Sequence, residues 1–145
     1  MPLIRKSIDV DASPENVFKY VTNPTTQPDW MHFVHEVDII SGDGQSKGTT
    51  DRAVVKLGPR TEVQEALWTE YGSPKTFARK NTSGMEMESR WTFEPLGNGT
   101  RVDWIIDYRP PMGVLGMMVD AVFMNRVFQN EVEESLEALK AQLEG

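Results

Sequence analysis

Three side chains of this sequence are of types that could move a proton inside an apolar site: Glu65, His32 and Tyr108. Glu65 shares a strand face with Val63, Leu67 and Tyr71. If that face is inward, its carboxyl is buried with a raised pKa, as a general acid or base often is. If the strand instead buries Ala66 and Trp68, Glu65 is solvated, and this is the favoured register. His32 follows Trp30 closely enough to sit at a cavity mouth and shuttle protons. Its one companion, His35, is three residues on and faces the other way along an extended segment. No third ligand accompanies them, so no metal and no other cofactor is expected. Tyr108 closes an alternating run, with its hydroxyl placed to reach either a cavity or solvent.

A second set of residues suits an apolar guest rather than a reaction. Two tryptophans, Trp91 and Trp104, fall on the dry side of alternating strands, with Met87, Ser89, Ile106 and Tyr108 beside them. Met85, Met87, Met112, Met117, Met118 and Met124 are six of the eight methionines of the chain. Thioethers adapt to irregular partners and recur at promiscuous apolar sites. The tryptophans alone could equally be core, since burying one removes roughly 200 Å² from water. Ser89 and Tyr108 need hydrogen-bond partners if buried, either backbone or a ligand oxygen.

The elements that must position these residues follow from periodicity. At residues 85–93 and 102–108, apolar and polar positions alternate with period two, the mark of an antiparallel sheet with one dry face. Further strands are expected at 3–10, 34–40, 49–57, 61–71 and 74–81. Two short helices interrupt them after the first strand. Ser13-Pro14-Glu15 is a strong helix start, Asn23-Pro24 a stop, and Pro28-Asp29-Trp30-Met31 a second helical turn.

A helix over about 114–143 closes the chain. At 100° per residue, Met117, Ala121, Met124, Phe128, Val132, Leu136, Leu139 and Leu143 form one stripe that should lie on the sheet. Asn125 falls at the edge of that stripe, a polar group suited to a cavity, whereas Arg126 falls on the solvated far face. Val119, Val122 and Phe123 make the first half of the helix apolar on its back as well. That back should be covered by the short helices, by a loop, or by a second copy in a homodimer.

Composition narrows the classes of function. The 145 residues suit a single domain, 1–145, and contain no cysteine, which excludes disulfides and thiolate chemistry. With 15 basic and 22 acidic residues the net charge is −7, which argues against nucleic acid as a partner. No apolar run reaches the roughly 18–20 residues of a membrane span, and no signal-peptide core opens the chain, so a cytoplasmic protein is expected. Gly42, Gly44 and Gly48 lack the ending of a phosphate loop, and no serine–histidine–aspartate arrangement is apparent.

The chain resembles the START-like (SRPBCC) superfamily, and within it the polyketide cyclase/dehydrase-like bacterial proteins. The residues that carry the likeness are the run Ile8-Asp9-Val10-Asp11-Ala12-Ser13-Pro14-Glu15-Asn16-Val17-Phe18, Asn23-Pro24, Pro28-Asp29-Trp30, Trp91-Thr92-Phe93-Glu94-Pro95, Gly99-Thr100-Arg101-Val102, and the helix opening Met112-Gly113-Val114-Leu115-Gly116. The resemblance implies an α+β helix-grip fold, with a curved antiparallel sheet of about seven strands around a long C-terminal helix. It further implies a small hydrophobic ligand, lipid-, polyketide- or aromatic-like, held between sheet and helix. Trp30, Met87, Ser89, Trp91, Trp104, Ile106, Tyr108, Met117, Ala121, Met124, Asn125 and Phe128 are the expected lining. Some relatives of this kind are cyclases or dehydratases, so metal-free proton transfer by polar cavity residues is the alternative, and interaction through the apolar back of the helix a third.

Overall fold

The computed structural model describes residues 3–58, 60–109 and 118–144, the side chains of residues 60 and 118–121 excepted. The chain opens with strand β1 (Leu3–Val10), whose even positions face inward around Ile4 and Val10. Helix α1 (Pro14–Thr22) begins where the sequence marks it. The Ser13 hydroxyl accepts the Asn16 N–H at 3.2 Å, Pro14 occupies the first turn, and Glu15 complements the helix dipole. The helix ends at Asn23, because a residue before proline disfavours helical geometry. Helix α2 (Gln27–Trp30) is a single turn that buries Trp30 completely.

Strands β2 (Val34–Ser41), β3 (Thr50–Leu57), β4 (Arg60–Gly72), β5 (Thr76–Ser83), β6 (Met87–Leu96) and β7 (Gly99–Tyr108) then run as consecutive antiparallel neighbours. The sheet order is β1-β7-β6-β5-β4-β3-β2, so the first strand pairs with the last, from Leu3 opposite Asp107 to Val10 opposite Thr100. The helices α1 and α2 carry the chain from one edge of the curved sheet to the other. Gly99 permits the close approach that starts β7, since a Cβ there would collide with the Val10 carbonyl oxygen.

Helix α3 (Met118–Glu144) lies in the curve and touches both β1 and β3. Phe128, Val132, Leu136 and Leu139 are buried, with Met124 and Leu143 half-buried, which is the expected stripe. Met112, Met117 and the glycine-containing helix opening lie outside the described residues, and so do the side chains of Ala121 and Val119. The architecture is therefore α+β, in the helix-grip arrangement.

Of the covers expected for the back of α3, the short helices are not found there, and a second copy stays a proposal. Val122 and Phe123 are 62% and 57% exposed, so no described element covers them. The reason lies in where the short helices dock. α1 packs on β6 and β7, while α2 meets α3 farther along, where Ser135 accepts the His32 N–H at 2.9 Å. The back of the helix near residue 122 is left without an intrachain neighbour among the described residues.

Candidate functional site

The interior between sheet and α3 is built from one aromatic chain. Trp91 and Trp104 are cross-strand partners in β6 and β7, stacked at 5.1 Å. Phe77 stacks on Trp91 at 5.2 Å, Trp30 meets Trp104 edge-on at 5.9 Å, and Phe33 bridges Trp104 to Phe128. Phe128 reaches Tyr108 at 4.9 Å. Of the expected lining, Trp30, Met87, Ser89, Trp91, Trp104, Ile106, Tyr108 and Phe128 are buried, and Met124 and Asn125 half-buried. Period-two alternation thus located the inward faces of β6 and β7 correctly.

Tyr108 is fully buried rather than solvated. Its hydroxyl accepts from Asn125 Nδ2 at 2.8 Å, and Asn125 Oδ1 accepts from Gln129 Nε2 at 2.7 Å. Burial pushes the phenol's pKa up, with the Asn125 hydrogen bond acting in the opposite direction. Tyr108 is therefore protonated at neutral pH, a donor and not a base.

The other two proton-transfer candidates do not reach the interior. Glu65 lies on the outer face of β4, its carboxylate 3.9 Å from Arg52 Nε and 44% exposed. The strand buries Gln64, Ala66 and Trp68, so the solvated register holds. His32 is 42% exposed, with Nδ1 3.3 Å from Glu134 of α3. An imidazole on the rim of α3 and a carboxylate on the outer sheet face cannot act on a molecule beneath the helix.

The structure adds polar residues that periodicity did not single out. Asp51 on β3 is 2% exposed and accepts from three donors: Trp68 Nε1 at 2.7 Å, Arg79 Nε at 3.1 Å and Arg79 Nη2. Three adjacent strands place this charge pair on the inner face, since Asp51 opposes Ala66 and Trp68 opposes Arg79. Glu62 and Gln64 follow on the same face of β4. The register that sends Glu65 outward brings both of them inward, which was the signal available for finding them. Arg79 had none, because bulges at Glu65/Ala66 and Trp68/Glu70 shift the β4–β5 register.

Among the described residues, two small voids lie in this interior. One, of about 10 Å³, is walled by Phe33, Val55, Gln64, Arg79, Met87, Ser89, Trp91 and Trp104, among others. The second, also about 10 Å³, lies toward α3 among Val55, Leu57, Glu62, Gln64, Met85 and Met124. Each has room for about one water molecule. They share Val55 and Gln64 as a common wall. The polar edges of this interior are incompletely matched: the indole nitrogens of Trp30, Trp91 and Trp104 and Gln64 Oε1 are buried without a hydrogen-bond partner among the described residues. A larger open groove of about 550 Å³ lies elsewhere, between α1, the β2–β3 loop and Tyr71. Among the described residues no three acidic or histidine side chains are grouped to hold a metal.

The comparisons with known proteins agree on the architecture. The family model described as polyketide cyclase/dehydrase and lipid transport matches residues 1–144. Among solved structures, a protein from Thermus thermophilus is 20% identical with TM-score 0.80, covering 98% of this chain and 97% of its own. A START superfamily protein from Mycobacterium smegmatis gives the same identity, coverage and TM-score. The Aha1 dimer from Colwellia psychrerythraea is 18% identical with TM-score 0.67, over 99% of this chain and 96% of its own. None of the curated proteins matches the sequence. At these identities the structures speak for the fold. The match along nearly the whole chain, on a seven-stranded sheet closed by α3, makes this protein a member of the polyketide cyclase/dehydrase and lipid transport family.

Proposed function

We propose that this protein binds a small, predominantly apolar molecule, lipid-, polyketide- or aromatic-like, between the inner face of the sheet and α3. The observation that carries the reading is the set of buried indole N–H groups and the Gln64 oxygen that find no partner among the described residues. Buried polar groups in a finished core are paired, and each one left alone costs about 1–3 kcal/mol. A guest that meets even one of them recovers part of that cost. Where the described residues wall them, the voids are small, and a guest there gains room as side chains turn. Met85, Met87 and Met124 line them, and unbranched thioethers change rotamer readily.

Equilibrium titration with a fatty acid, an aromatic polyketide and a naphthalene-type probe, following tryptophan fluorescence, tests this. At least one class should produce a saturable change, because Trp91 and Trp104 border the site. No saturable response from any class would overturn the proposal.

A cyclase or dehydratase reading has one supporting observation, the buried, protonated Tyr108 hydroxyl. It supplies a general acid with no base beside it among the three candidates, so binding is preferred over catalysis. Self-association is a separate proposal. It rests on the exposed Val122 and Phe123, and on the relative from Colwellia psychrerythraea being described as a dimer. Sedimentation velocity should then show wild-type mass rising with concentration and Phe123→Glu remaining monomeric. No helix among the described residues is long and apolar enough to cross a membrane, and a cytoplasmic site of action is part of the proposal.

A further inference from the structure

We propose that the guest carries a hydroxyl group, as an alcohol, enol or phenol on an apolar skeleton, and that Gln64 is the residue that reads it. The inference rests on the ligand-binding reading and specifies its chemistry. Gln64 is 1% exposed and belongs to the walls of both interior voids. The two ends of its amide have different surroundings. Nε2 donates to Glu62 Oε2 at 3.1 Å, and that same oxygen accepts the Met85 N–H at 2.7 Å. A carboxylate only accepts, so it holds the nitrogen end of the amide and leaves Oε1 as the buried acceptor. Oε1 has no partner among the described residues.

Trp91 and Trp104 border the same void as Gln64, and their buried N–H donors are also unpartnered. One acceptor and two donors on residues that wall one space call for a group that donates and accepts at once. A carbonyl only accepts, and an ammonium only donates and brings a charge. A carboxylate guest would need a free cation. Arg79, on the same wall, is already engaged through Nε and Nη2 with Asp51. A hydroxyl fits: its hydrogen goes to Gln64 Oε1 and its oxygen receives an indole N–H. Glu62 acts as a positioning residue, since it sets which end of the amide faces the guest.

Naphthol and methylnaphthalene of the same substitution differ in an OH against a CH₃ and are nearly equal in volume. Equilibrium dialysis of each against the full chain reads the preference directly. Methylnaphthalene is the more hydrophobic, so a core without polar recognition favours it. Wild type should bind naphthol tighter by about tenfold or more, the scale of one buried hydrogen bond. Gln64→Met, of similar length, should abolish that preference, read as the ratio of the two affinities. Glu62→Gln, which lets the amide turn over, should reduce the ratio, and it carries the test if Gln64→Met does not fold by circular dichroism. If wild type binds neither probe, the ligand-binding reading itself fails. If wild type binds both with no naphthol preference, or if the preference survives in Gln64→Met, the hydroxyl assignment is overturned and ligand binding stands.

Discussion

At the scale of single residues, the unusual feature is a charge pair placed where the sheet faces its helix. Asp51 and Arg79 expose 3% and 12% of their side chains, and Trp68 adds a third donor to the carboxylate. Removing ions from water is costly, and a pair survives it only when its hydrogen bonds are complete. Asp51→Asn should therefore cost about 3–5 kcal/mol, because it leaves the Arg79 charge without its counter-ion. Asp103→Asn, which breaks the exposed contact with Arg5, should cost no more than about 1 kcal/mol. Urea unfolding of the two variants measures both. The double variant Asp51→Leu/Arg79→Met should lose less than the sum of the singles, since no lone charge then remains. Neither charge was legible in the sequence. Asp51 reads as one polar position in an alternating strand, and only the neighbouring strands reveal that its face is the inner one.

At the scale of elements, α3 was legible in its C-terminal half and less so ahead of it. The stripe Phe128, Val132, Leu136 and Leu139 follows from helical spacing alone, as Val102, Trp104, Ile106 and Tyr108 follow from strand spacing. What covers the back of the helix depends on where α2 docks, and helical spacing is silent on that. The docking creates an electrostatic asymmetry on α3. Burial raises the Glu131 pKa, Glu134 one turn on adds to the rise, and His32 from the α2–β2 turn opposes it. A carboxyl whose folded pKa lies above its unfolded value favours the fold when protonated, and that contribution is lost as pH rises through the folded value. At neutral pH the Glu131 charge thus works against folding. Glu131→Gln should raise the neutral Tm by about 1–3 °C, and the gain should vanish near pH 4. Thermal melts of both proteins across pH 4–8 give the comparison.

At the scale of the whole molecule, pairing the first strand with the last sets β1 at one edge of an open sheet that curves around α3, so sheet and helix cannot separate locally without exposing the aromatic chain from Phe77 to Tyr108. The order of elements was readable because each boundary has a chemical cause, such as the Ser13 cap, the Pro24 stop and the turn at Gly97. The contents of the interior were not, because void size depends on how side chains from neighbouring strands interlock. A guest held there touches both halves of the grip and binds the folded chain alone. Binding must then appear as stability: a free ligand at about 100 times its Kd adds about 2.7 kcal/mol, which for a domain of this size moves Tm upward by roughly 5–10 °C. A probe sitting instead in the open groove beside Tyr71 should leave the emission of Trp91 and Trp104 unchanged, since that groove has neither tryptophan in its walls. Thermal shift and tryptophan emission measured on one titration should therefore rise together with a single midpoint, and a shift in Tm with silent tryptophans would move the binding site from the interior to the groove.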